Sequence, residues 1–131
     1  MITLDFADKR PLYEQTKEKL RELIVRGVLR EHEQLPSVRE LAARLAVNPN
    51  TIAKAYRDLE NEGYLYVRAA KGYYVAPRKE SAGRTAKRVD ELRDALSANV
   101  TELRYLGIKK EEISRRIEEL FHEEERLNDK G

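Results

Sequence analysis

LPSVRELAARLAVNPNTIAKAYRDLENEGYLYVRAAKGYYVA, residues Leu35 to Ala76, decides the fold. Pro36 stops any preceding helix, and Ser37-Val38-Arg39-Glu40 has the S-x-x-E form of a capping box. A helix then runs to about Leu45, with Val38, Leu41, Ala42 and Leu45 on one face. Ala46 and Val47 make a turn. Asn48 is a good N-cap and Pro49 a good first helical residue, so a second helix continues through Thr51, Ile52, Tyr56 and Leu59. Gly63 is placed to end it with a left-handed residue. Tyr64 to Arg68 and Tyr73 to Ala76 have the aromatic and β-branched content of strands, joined by Ala69-Ala70-Lys71-Gly72 and closed by Pro77. Helix, tight turn, helix, hairpin is the order of a winged helix-turn-helix, whose second helix is the one that enters a DNA groove.

Outward from that stretch, Ile2-Thr3-Leu4-Asp5-Phe6 alternates apolar and polar residues and predicts a short strand. Asp8-Lys9-Arg10 predicts a loop. Pro11 fits the first turn of a helix carrying Tyr13, Leu20, Leu23 and Ile24 and ending near Gly27, with Val28 to Gln34 as a connector. Arg78 to Thr85 is polar and linker-like. Beyond it, Val89, Leu92, Leu96, Asn99, Leu103 and Leu106 form a heptad seam with one polar interruption, and Gly107 breaks the helix. Ile113, Ile117, Leu120, Glu124 and Leu127 form a second seam. The expected fold is mainly α with a small β-hairpin wing: a winged helix-turn-helix domain over 1–77, a linker over 78–84, and a two-helix dimerisation hairpin over 85–131. Two helices alone bury little, so Leu92, Leu96, Leu103, Leu106, Ile113, Ile117 and Leu120 are expected to pair with a second subunit in a homodimer. Asn99 either fixes the register of that seam or points to solvent. Packing alone is the plainer reading of the tail, and an unidentified small-molecule effector held at its interface is the sharper one.

Charged residues make up 38% of the chain, yet the net charge is only +2, so overall charge does not point to nucleic acid. Its distribution does so weakly. Residues 1–79 hold 15 Lys/Arg against 11 Asp/Glu, and residues 80–131 hold 11 against 13, placing positive charge with the winged helix. With no cysteine there are no disulfides, thiolate metal sites or cysteine nucleophiles. The N-terminus has no uninterrupted apolar run of a signal peptide, and no segment approaches the roughly 20 apolar residues of a membrane span. A cytoplasmic protein that does not touch membrane is expected.

The chemistry falls on the second helix of the motif. With Ile52, Ala55, Tyr56 and Leu59 turned to the core, Asn50, Thr51, Lys54 and Arg57 are left on the other face or its flanks. Asn pairs with adenine in a bidentate way, Thr bonds a base or touches a thymine methyl, and Lys reaches guanine or a phosphate. The free N–H groups at the helix starts, beside Ser37 and Asn48, favour phosphate. Arg39 lies where DNA would pass; the alternative for it is a surface ion pair with Glu40 or another acid. Arg68 and Lys71 flank the hairpin tip, and Gly72 lets backbone approach a groove closely. His32 sits in a polar loop without an evident second ligand. His122 has Glu118 and Glu125 at helical spacing, which reads as a solvated acidic face before it reads as a metal site. No Ser/His/Asp set, phosphate loop or carboxylate pair suggests an enzyme or a cofactor. Two other uses of such a fold are a DNA-coating architectural protein and a protein-interaction module.

Leu35-Pro36-Ser37-Val38-Arg39-Glu40-Leu41-Ala42, Asn48 through Tyr56, Leu59-Glu60 and Glu62-Gly63-Tyr64-Leu65 resemble the GntR family of bacterial transcription regulators, and Pro11-Leu12-Tyr13-Glu14-Gln15 resembles its first helix. The short two-helix tail is most similar to the YtrA-like subfamily. The resemblance implies a dimeric winged-helix repressor on a double-stranded inverted-repeat operator. It also implies that Arg39, the start of the second motif helix and Gly72 touch DNA. Many relatives carry arginine where this chain has Pro49 and Ala53, which shifts base reading toward Asn50, Thr51 and Lys54. Relatives also commonly carry glycine where this chain has His32, read here as a loop variation.

Overall fold

The computed structural model describes residues 2–78 and 86–129, with side chains given as far as Glu123. The expected linker lies outside the described residues beyond Arg78, as do the side chains of the seam positions Glu124 and Leu127. The chain divides into two compact units, Met1–Arg88 and Val89–Gly131.

In the first unit, α1 spans Leu12–Val25. Pro11 stands just outside it with extended backbone, and its carbonyl accepts from the amides of Glu14 and Gln15 at 3.1 and 3.2 Å. The segment before it is not a strand. The buried Gln15 side chain accepts from the Asp5 amide at 2.9 Å and donates to the carbonyls of Asp5 and Arg10 at 3.0 and 3.1 Å. A side chain thus satisfies the backbone groups that a neighbouring strand would have used.

Helix α2 spans Val38–Leu45, and the Ser37 hydroxyl accepts from the Glu40 amide at 3.1 Å. Only this half of the capping box forms, because the Glu40 carboxylate turns toward Arg44, 4.0 Å away. Ala46 ends α2 with a φ of +56°, in the left-handed region where a Cβ is unfavourable. Helix α3 spans Pro49–Asn61, and the Asn48 side-chain oxygen accepts from the Asn50 amide at 2.8 Å. Gly63 follows at a φ of +91°. Strands β1 (Leu65–Arg68) and β2 (Gly72–Val75) pair antiparallel, with Leu65 opposite Val75 and Arg68 opposite Gly72.

The connector before α2 is more than a loop. It runs along the free edge of β2: the Leu35 amide donates to Tyr73, the Val75 amide to Glu33, and the His32 amide to Val75, at 2.9, 3.0 and 2.8 Å. His32 takes a φ of +66°, and its Nδ1 lies 2.9 Å from the Tyr66 hydroxyl. Glycine adopts that backbone freely, whereas the Cβ of His32 makes it unfavourable there.

Ile52, Tyr56 and Leu59 of α3 are fully buried, along with Leu65 and Val75 of the wing. They pack with Leu20 of α1 and with Leu35, Leu41 and Ala42, so α3 is held from behind on three sides. Burial of a side chain of this size contributes about 1.5–3 kcal/mol.

The second unit contains α5 (Lys110–Asp129) and most of α4 (Ala86–Tyr105), joined through Gly107 at a φ of +92°. No described side chain of either helix is buried, and among the described residues of this unit only Val100, Ile108 and Ile113 near the turn are half-buried. Among the described residues the two seams therefore do not close on each other within one chain. Leu92, Leu96, Leu103, Leu106, Ile117 and Leu120 are all exposed, as are Phe121 and Asn99.

Candidate nucleic-acid interface

Burial of Ile52, Ala55, Tyr56 and Leu59 leaves Asn50, Lys54 and Arg57 exposed on the opposite side of α3, with Thr51 half-buried at the flank. Tyr56 anchors the helix twice. Its hydroxyl donates to the Pro36 carbonyl at 2.8 Å, and its ring meets Tyr73 edge-on at 4.9 Å between centroids. Burial, and then the Glu40 carboxylate, push its ionisation well above the ordinary tyrosine range.

Ser37, Arg39 and Asn48 are exposed at the starts of α2 and α3. The ion pair offered as the alternative for Arg39 does not form, since Glu40 faces Arg44. Among the described residues, Arg39, Lys54, Arg57, Arg68 and Lys71 have no carboxylate within ion-pair distance, whereas Arg10, Lys17 and Arg21 of the arm and α1 are all paired. Cations without acidic partners are available to phosphate.

Lys54 is not the bare side chain that the helical pattern suggests. Its ammonium lies 3.7 Å from the centroid of the Tyr13 ring of α1. The same seam continues with Lys17, 3.6 Å from Asp58 and 3.4 Å from Glu62, and with Arg21, 2.8 Å from Glu62. Sequence reasoning placed Tyr13 only among the packing residues of α1. The successive spacing of four in Tyr13, Lys17 and Arg21, matched by Lys54, Asp58 and Glu62, is the signal in the chain.

At the wing, the exposed Lys71 lies between Ala70 and Gly72, with φ values of +64° and +105°. The Gln34 side chain donates to the Lys71 carbonyl at 2.6 Å and so braces the tip from the connector. Arg68 lies 5.6 Å over the Tyr74 ring, which stacks on Tyr66, itself bonded to His32. The Gln34 brace and the His32–Tyr66 contact were missed because they join segments far apart in sequence.

In the second unit a cleft of about 650 Å³ opens at the turn, lined by Val100, Arg104, Ile108, Lys110, Ile113 and Ser114. Among the described residues no three His, Asp or Glu side chains are placed to hold a metal ion. No helix among them is long and apolar enough to cross a membrane.

A recognition helix buried behind and polar in front, flanked by a braced basic wing, defines a winged-helix DNA-binding regulator. Residues 12–75 match the family of bacterial regulatory proteins called the gntR family. Over 120 residues the chain is 32% identical to the HTH-type transcriptional repressor YtrA of Bacillus subtilis, covering 92% of each protein. It is also similar to the crystal structure of a transcriptional antiterminator from Listeria monocytogenes EGD-e, with a TM-score of 0.72 and 37% identity over 92% of this chain and 89% of that one. The DNA-binding domain of AraR, solved in complex with operator ORE1, aligns with a TM-score of 0.50 and 32% identity over 58% of this chain and 93% of that one. The chain belongs to the GntR family of transcription regulators and is not an enzyme.

Proposed function

We propose that the protein is a cytoplasmic homodimeric repressor that binds an inverted-repeat operator. Asn50, Thr51 and Lys54 read base edges, and Arg39, Arg57, Arg68 and Lys71 hold phosphate. Ser37 and Asn48 present the amides of their helix starts, and Gly72 lets the wing tip approach the groove. The observation that carries this reading is the clustering of Arg39, Lys54, Arg57, Arg68 and Lys71, none with an acidic partner among the described residues, around the exposed face of α3 and the wing, set beside the paired Lys17 and Arg21 of α1. Phosphate contacts supply affinity and base contacts supply choice.

Dimerisation is assigned to 85–131. A pair of helices with no buried side chain among the described residues and a row of exposed leucines lacks a core among those residues. A second copy supplies one, and it places two reading helices on half-sites roughly 34 Å apart. The repressor name of the Bacillus relative and the operator complex of AraR support the reading. Footprinting on DNA upstream of the protein's own gene tests it. Protection of two symmetric half-sites is expected, and shifts of equal strength on operator and scrambled DNA would contradict it.

A further inference from the structure

The α1–α3 seam carries a consequence for DNA reading. Tyr13, Lys17 and Arg21 lie one turn apart on α1, and each meets a partner 41 positions later: Lys54, Asp58 and Glu62. The last two pairs are ionic and the first is a cation over an aromatic face. The register between the helices is thus fixed by charge along two turns, and the end of the seam at the DNA-facing side finishes on a ring rather than a carboxylate. A carboxylate there would neutralise Lys54; a ring orients the ammonium and leaves its charge available.

The ring itself is held. The Tyr13 hydroxyl donates to Glu14 at 3.3 Å, and Gln15, two residues on, grips Asp5 and Arg10 and fixes the start of α1. Tyr13 is half-buried and Lys54 exposed, so the ring forms a platform and the ammonium rides above it. A free lysine side chain samples many rotamers, and a platform under its ammonium narrows them before DNA arrives.

Resting on the assignment of Lys54 to base reading, we infer that Tyr13 is a positioning residue for DNA selectivity: through the face of its ring it sets where the Lys54 ammonium stands on the recognition surface. First-helix residues thereby take part in sequence choice without touching a base.

The test uses the full chain and a duplex selected by the wild-type protein from a randomised pool, beside a duplex of random sequence. Tyr13→Leu is expected to lose about two- to fivefold in affinity for the selected duplex, with little change on the random one. Tyr13→Phe, which keeps the ring face, is expected to retain wild-type selectivity. In a Lys54→Met background, Tyr13→Leu should have no further effect. Independently of DNA, the Lys54 ε-methylene protons should resonate upfield in wild type and Tyr13→Phe, and at their ordinary position in Tyr13→Leu. Unchanged selectivity in Tyr13→Leu, beside a clear loss in Lys54→Met, would overturn the positioning role alone. A loss in Tyr13→Leu that persists in the Lys54→Met background would make Tyr13 merely structural. If Lys54→Met itself binds the selected duplex like wild type, the assignment of Lys54 falls, and the role of Tyr13 falls with it.

Discussion

The Tyr56 hydroxyl donates a 2.8 Å hydrogen bond to the Pro36 carbonyl, joining the middle of the recognition helix to the entrance of the helix before it. Tyr56 has no exposed surface. Tyr56→Phe leaves the carbonyl without its partner in a packed interior and should cost about 1–3 kcal/mol. Urea unfolding followed by circular dichroism measures it.

The same residue gives the protein an alkaline limit. Burial first, and the Glu40 carboxylate second, raise the Tyr56 ionisation above its ordinary value, and burial raises Tyr73 as well. The folded state thus keeps these protons after the unfolded chain begins to release its own. That contribution is fully present below about pH 10, the ordinary tyrosine value, and is lost as pH rises beyond it. The unfolding midpoint of wild type should fall above about pH 10, and fall less steeply in Tyr56→Phe.

Ala46 closes α2 in the left-handed region, where glycine carries no steric penalty. Ala46→Gly should therefore stabilise the protein, by about 1 kcal/mol. A lower melting temperature than wild type would contradict this account of the turn.

Much of this was legible because it is local chemistry. Ser37, Asn48-Pro49 and Gly63 set helix boundaries within a few residues of themselves, and the structure places the ends of α2 and α3 there. β1 begins one residue later than expected, as the Tyr64 amide donates back to Leu59, and β2 starts and ends one residue earlier than expected. What was not legible depends on partners far apart in sequence. Nothing near Gln34 announces that it braces Lys71, and Tyr13 is tied to Lys54 only through a four-residue spacing shared by two distant segments. Ile2–Phe6 carried a strand pattern that Gln15 overrides with its own side chain. The helical period showed which face of α3 is buried, but not what lies beside that face.

Arg39 is exposed and without an acidic partner among the described residues. If it holds a phosphate, Arg39→Ala should weaken selected and random duplexes alike and reduce the slope of log affinity against log salt by about 1. Loss confined to the selected sequence would reassign it to base reading.

Leu96 is 55% exposed and Leu103 39% exposed in a single chain. Buried in a dimer, neither tolerates charge. Leu96→Glu and Leu103→Glu should each shift the sedimentation of the protein toward monomer at micromolar concentration. The circular dichroism of the winged helix should persist, and affinity for a two-half-site duplex should drop steeply. A monomeric wild type would remove the basis for this prediction and for the symmetric operator.

The most direct measurement is selection of duplexes from a randomised pool by the wild-type protein, followed by sequencing of the bound fraction. The account predicts enrichment of one inverted repeat, its half-sites centred about 10 base pairs or a multiple of that apart. Enrichment of a single unsymmetrical site, or no enriched sequence, would contradict a dimer that places two copies of α3 on one operator.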